Sequence, residues 1–189
     1  SQGEKDIIKG ASKKIDYLAF SYYRSNVISS FEDIKDQNEL EDALIFDQRA
    51  LKNPYYKANE WGWQIDAEGL RYSLIDFYHR YHKPLFIVEN GIGIDETLKD
   101  GKVYDDERIS YYQKHIQAIK TAVEHDGVDL MGYLAWSPID FLSSHKEIRK
   151  RYGFVYVNYQ DDCSGNGERI RKDSFYWYKK VIESCGEKL

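Results

Sequence analysis

The chain has 189 residues, 42% of them apolar and 31% charged, which suits one globular domain with a core of its own. Its net charge of −5 gives no support for binding nucleic acid through phosphates, though it leaves room for a small basic site. No apolar run reaches membrane-spanning length, and the polar stretch Ser1 to Gly10 lacks the pattern of a signal peptide. Cys163 and Cys185 have no CxxC spacing and are expected as free thiols in a reducing compartment, the cytoplasm.

Ile15 to Tyr23 (IDYLAFSYY) is short, apolar and aromatic, and predicts a buried strand. Ser25 to Trp63 has no clean period, and a connection that long is usually functional or disordered. Asp66 is placed to cap a helix whose apolar positions are Leu70, Leu74, Phe77, Tyr78 and Tyr81, with Lys83-Pro84 as its stop. Leu85 to Val88 (LFIV) predicts a strand buried on both faces, and Gly91 and Gly93 open a loop after it. Asp105 or Asp106 then caps a helix with the stripe Ile109, Tyr112, Ile116, Ile119 and Val123, ended by Asp126-Gly127. Val128 to Trp136 predicts a third strand. A hairpin or an extended excursion comes next, over Gly153 to Val157 and the turn Asp161 to Gly167. The last helix, Ser174 to Ser184, turns Phe175, Tyr178, Val181 and Ile182 inward.

Strand and helix alternate three times, which predicts parallel βα units in an α/β fold. A complete (β/α)8 barrel takes about 200 to 400 residues and eight units. About three are present, so the chain is expected either as a small open sheet or as part of a barrel.

Glu89 ends an apolar strand, and glycines come directly after it. In βα architectures that strand edge carries the active site, though a carboxylate there also serves as an ordinary turn or cap group. Trp136 at the end of the third strand reads equally as a core ring. The basic run Lys146, Arg149, Lys150 and Arg151 reads equally as a solvated surface.

Six segments in order carry a resemblance. PLFIVENG (Pro84 to Gly91) resembles the nucleophile motif of glycoside hydrolase family 1. IDYLAFSYY resembles its strand-six motif, and WGWQIDAEGLRY (Trp61 to Tyr72) the segment before strand seven. GYLAWSPIDF (Gly132 to Phe141) resembles the strand-eight motif, while RYGFVYV (Arg151 to Val157) and SFYWYKKVI (Ser174 to Ile182) match the tail. The resemblance implies that residues 1–189 are the C-terminal part of a single TIM-barrel domain, strands six to eight with their helices. It implies hydrolysis of a β-glycosidic bond with retention, without metal or cofactor. Glu89 would be the nucleophile, Tyr23 its hydrogen-bonding support and Trp136 the floor of the sugar site. Ser21 stands where many relatives carry Asn, and no role is carried over to it.

Two features bear on substrate and completeness. Family members that bind plain sugars carry a Glu seven residues after the strand-eight Trp, and here Ser143 holds that position. A carboxylate there would repel a sugar phosphate, whereas a hydroxyl donates to it. The spacing from Ser143 through Lys150 to Tyr152 resembles the phosphate-binding residues of the 6-phospho-β-glycosidases. Ser144, where the phospho-galactosidases carry Trp, leans towards glucosides. The implied substrate is a phosphorylated β-glucoside in a bacterial cytoplasm, with no nucleic-acid or membrane partner. The family's acid/base lies in a T-x-N-E-P motif upstream of these segments. Asn59-Glu60 precedes Trp61 rather than Pro and reads as a loop pair. The chain alone is therefore expected to be inactive, and either to self-associate or to pack against the missing N-terminal part of the barrel. A phospho-sugar-binding module is the other reading. A nucleotide-binding α/β protein is disfavoured, because Gly91-Ile92-Gly93 is no GxGxxG and no P-loop is present.

Overall fold

The computed structural model describes residues 1–12, 14–28, 50–144 and 146–189. In chain order the elements are α1 (Gln2–Ser12), β1 (Leu18–Ser21), β2 (Val27–Ile28), β3 (Ala50–Leu51), α2 (Ala67–Tyr81), β4 (Leu85–Asn90), β5 (Ile94–Asp95), α3 (Asp106–Glu124), β6 (Leu130–Ala135), β7 (Lys150–Arg151), β8 (Val155–Tyr159), β9 (Gly165–Arg171) and α4 (Asp173–Glu183). Much of the irregular Ser25 to Trp63 connection lies outside the described residues.

The centre is a three-stranded sheet in the order β1-β4-β6, with both pairings parallel. Parallel neighbours need crossovers, and α2 and α3 supply them, packed side by side. Asp66 caps α2 as expected: its carboxylate accepts from the Gly69 N–H at 2.7 Å. Leu70, Leu74, Leu85, Ile87, Ile119, Ala122 and Val128 form the core between helices and sheet. A second cluster joins Tyr112, Ile116 and Phe154 to Val181 of α4. The expected hairpin is present as the antiparallel pair β8-β9. Among the described residues no helix is long and apolar enough to cross a membrane.

Three expectations need correction. The first strand shrinks to Leu18–Ser21. On α3, Val123 is exposed, and the buried face instead runs through Arg108, Tyr111, Tyr112, His115 and Ala122. On α4, Ile182 points to solvent, while Trp177 packs against the second cluster.

Two short contacts join the β4 edge to the basic segment. β5, in the loop after Glu89, pairs antiparallel with β7 through Ile94–Arg151 and Asp95–Lys150. Gly93 lies against the same residues: a Cβ there would come within 2.7 Å of Lys150 Cγ and 3.1 Å of Tyr152 Cζ. The loop that leaves the β4 carboxylate is thus seated on the segment carrying Lys150 and Tyr152.

Candidate active site

Glu89 sits near the C-terminal end of β4, the central strand of the sheet. Two hydroxyls that reach its carboxylate come from the end of β1 and the residues just after it. Ser21 donates to Oε2 at 3.1 Å and Tyr23 donates to the same oxygen at 2.9 Å. The backbone fixes this convergence, since the Tyr22 N–H donates to the Glu89 carbonyl at 2.9 Å. Burial raises the Tyr23 phenol well above its ordinary pKa, and the hydrogen bond to Glu89 and its charge add to that. Tyr23 therefore stays a donor across the working pH range. Ser21, which received no role from the sequence, is a second donor.

Asn90 locks the strand ends around the carboxylate. It is fully buried. Its Nδ2 donates to the Tyr22 carbonyl at 2.7 Å and to the Tyr111 hydroxyl at 3.0 Å, and its Oδ1 accepts from Tyr133 at 2.8 Å. One side chain thus ties β4 to the chain after β1, to α3 and to β6. Trp136 joins through the backbone: its N–H donates to the Asn90 carbonyl at 2.7 Å, and its own carbonyl accepts from Tyr112 at 3.0 Å. Its ring meets Phe141 edge-on, with centroids 5.2 Å apart. A Cβ on Gly91 would come within 2.0 Å of the Trp136 carbonyl oxygen, so only glycine lets the two strand ends approach so closely.

A chain of rings leads from Glu89 to the basic segment. Tyr23 packs edge-on against Trp63 at 5.7 Å and Tyr152 at 6.4 Å, and Trp63 lies 6.3 Å from Tyr152. Lys150 is fully buried, its Nζ 4.1 Å from the Trp63 centroid and 5.1 Å from that of Trp61. Arg24 stacks on Trp63 at 4.8 Å. Ser143 is buried too. Its Oγ accepts from the Glu147 N–H at 3.2 Å and keeps its own proton to donate. Glu60 is exposed and accepts from the Asp95 N–H, so it serves the loop as its sequence context indicated.

The segment behind the site is held by buried charge. Arg108 donates to the carbonyls of Ile92 at 2.8 Å, Arg151 at 2.9 Å and Tyr152 at 3.0 Å, and is paired with Glu96 and Asp105. Lys172 bridges Glu96 and Asp140, and Asp140 pairs in turn with Arg151.

Three parallel βα units with a carboxylate at the C-terminal end of the central strand define an α/β partial barrel. The pattern of glycosyl hydrolase family 1 matches residues 1–187, and the chain belongs to that family. It is 47% identical over 189 residues to the aryl-phospho-beta-D-glucosidase BglA of Bacillus subtilis (strain 168), covering 99% of this chain and 39% of that protein. It is 44% identical to the 6-phospho-beta-glucosidase AscB of Escherichia coli (strain K12), covering 99% of this chain and 38% of the relative. The family 1 b-glucosidase from Thermotoga maritima superposes with a TM-score of 0.77 at 29% identity, over 96% of this chain and 38% of that one. The chain therefore spans well under half the length of the proteins it matches.

Proposed function

We propose that residues 1–189 supply the last three βα units of a single barrel domain that hydrolyses 6-phospho-β-glucosides with retention. The observation that carries this reading is the Glu89 carboxylate, with one oxygen bound by Ser21 and Tyr23 at the C-terminal edge of a parallel sheet. Both donors sit on Oε2, so Oε1 is the oxygen that attacks. It closes on the anomeric carbon as the bond to the leaving oxygen breaks and that oxygen takes a proton from the acid/base carboxyl of the preceding units, giving a glycosyl ester. Water then hydrolyses the ester from the face that the leaving group vacated. Tyr23 and Ser21 hold the carboxylate in its aim. Trp136 forms the floor under the sugar. Ser143, Lys150 and Tyr152 hold the 6-phosphate, Lys150 as a point charge and the other two as hydroxyl donors. The phospho-glucosidase names of the curated relatives support this substrate. A sugar phosphate is charged and stays where import made it, so this reading puts the enzyme in the cytoplasm. The two exposed free thiols support a reducing compartment.

Retention needs a second carboxyl about 5 Å from the first. Glu60 is engaged in its loop. A further Asn-Glu pair, Asn38-Glu39, precedes Leu40 rather than Pro and lies outside the described residues. The chain alone is expected to show no turnover of a chromogenic 6-phospho-β-glucoside. Exchanged for the matching segment of BglA, it is expected to restore hydrolysis, and Glu89→Gln in that hybrid should abolish it. Hydrolysis by the hybrid that survives Glu89→Gln sinks the assignment. Robust turnover by the isolated chain, undiminished by Glu60→Gln and Glu39→Gln, sinks the idea of a half-site.

The second reading, a phospho-sugar-binding module, is favoured by one feature. Lys150, Tyr152 and Ser143 are all buried within this chain's own framework.

A further inference from the structure

We propose that Trp61 is a positioning residue for the phosphate site, a role that rests on Ser143, Lys150 and Tyr152 holding the sugar phosphate. Asn59 builds the turn that carries it. The Asn59 Oδ1 accepts from the N–H of Trp61 at 3.1 Å and of Trp63 at 2.9 Å. Its Nδ2 donates to the Gly93 carbonyl at 3.1 Å, which docks the turn on the loop after Glu89. Gly62, at a φ of 71°, lets the chain reverse between the two tryptophans.

From that turn Trp61 touches two separate parts of the site. Its Nε1 donates to Glu147 Oε2 at 3.3 Å. Glu147 is in turn bonded to Ser143 twice: its carbonyl accepts the Ser143 N–H at 3.0 Å, and its N–H donates to Ser143 Oγ. The Trp61 ring also lies 5.1 Å from Lys150 Nζ, sharing the ammonium with Trp63. One indole thus sets the serine turn and the lysine at a fixed separation.

That separation is what a phosphate monoester reads. A lysine stem that is free in solution loses rotamer entropy when it closes on an anion; one already held against two ring faces does not lose it at binding. Trp63 is the poorer probe of this, because it also packs on Tyr23 beside Glu89. Trp61 meets the phosphate side through Glu147 and Lys150, with Arg149 also over its ring at 5.6 Å.

The test is calorimetric titration of the full chain with glucose 6-phosphate, with thermal unfolding of each variant measured alongside. Wild type is expected to bind saturably, and Lys150→Ala to abolish binding. Trp61→Leu removes both contacts and should weaken affinity about tenfold or more, while Trp61→Phe keeps the ring and should weaken it only about threefold. Glu147→Ala, which removes the acceptor for the indole N–H but keeps the two backbone bonds to Ser143, should match Trp61→Phe. Partial rescue by phenylalanine at an unchanged unfolding midpoint is a pattern that general loss of structure does not give. Unchanged affinity in Trp61→Leu overturns this inference and leaves the phosphate reading standing. Absence of binding to wild type, or binding that survives Lys150→Ala, overturns the phosphate reading and this inference with it. Should Trp61→Leu fail to fold, Trp61→Phe decides alone, and wild-type affinity there overturns the proposal.

Discussion

Two hydroxyls on one oxygen of Glu89 hold one end of the carboxylate. Charge-assisted bonds of this kind are roughly twice as strong as neutral ones, so they fix the rotamer. Behind them the buried residues are polar in an unusual degree, and His115 is the clearest case. It stacks on Tyr111 with centroids 3.8 Å apart, donates from Nδ1 to the Tyr111 carbonyl at 2.8 Å, and has no partner for Nε2 among the described residues. Burial lowers its pKa from 6.5 to about 4, against a smaller opposing effect of the Tyr111 carbonyl. The folded state thus prefers the neutral ring, while the unfolded chain takes up a proton below about pH 6.5. His115 therefore contributes stability above pH 6.5 that is lost as pH falls towards 4, by roughly 3 kcal/mol. Urea midpoints measured over this window should fall less steeply for His115→Phe than for wild type, and parallel curves would sink the assignment. Tyr23 was legible from its motif. Ser21 was not, because its partner lies 68 positions away and meets it only when β1 and β4 pair.

At the scale of elements, apolar period and capping residues were enough to place the three sheet strands and helices α2 to α4, but not α1, β5 or β7, nor the buried face of α3. Periodicity centres a stripe on apolar side chains, and the residues that α3 buries include Arg108, Tyr111 and His115. Arg108 and Tyr111 are burial-competent because of partners elsewhere in the chain, which no local pattern announces. Arg108 is the extreme example. With Arg151 and Lys172 it shares a buried network with Glu96, Asp105 and Asp140. Its guanidinium bonds carbonyls on both sides of the β5-β7 contact, so it clamps the loop after Glu89 to the Lys150 segment. Replacing it leaves Asp105 and Glu96 short of a counter-charge in a buried site. Arg108→Met is expected to cost about 3 to 5 kcal/mol in denaturant unfolding, well beyond the loss for truncating the exposed Arg80, whose pair with Asp76 is solvent-screened. Equal costs for the two would show that the buried network carries no special weight.

For the molecule as a whole, the sheet has two unpaired edges. Among the described residues β1 and β6 each pair only with β4, so each presents a row of unbonded backbone groups on its outer side. Strand β6 also exposes Met131 (59%) and Leu134 (52%). Burying two such side chains is worth about 2 kcal/mol each, and β-edge pairing adds to it. Covering these edges takes either the other five units of a barrel or a second copy of the chain. The isolated chain is therefore expected to self-associate, with a sedimentation coefficient that rises with concentration. Met131→Lys combined with Leu134→Lys places charges along the β6 edge and should push the same chain towards monomer. Adding the preceding units of a family 1 barrel as a separate polypeptide should compete with self-association for the same edges, and should do so less well for the double lysine variant. A wild-type chain that stays monomeric at all concentrations would mean that twist and flanking loops already protect both edges. The exposed residues of β6 would then be incidental.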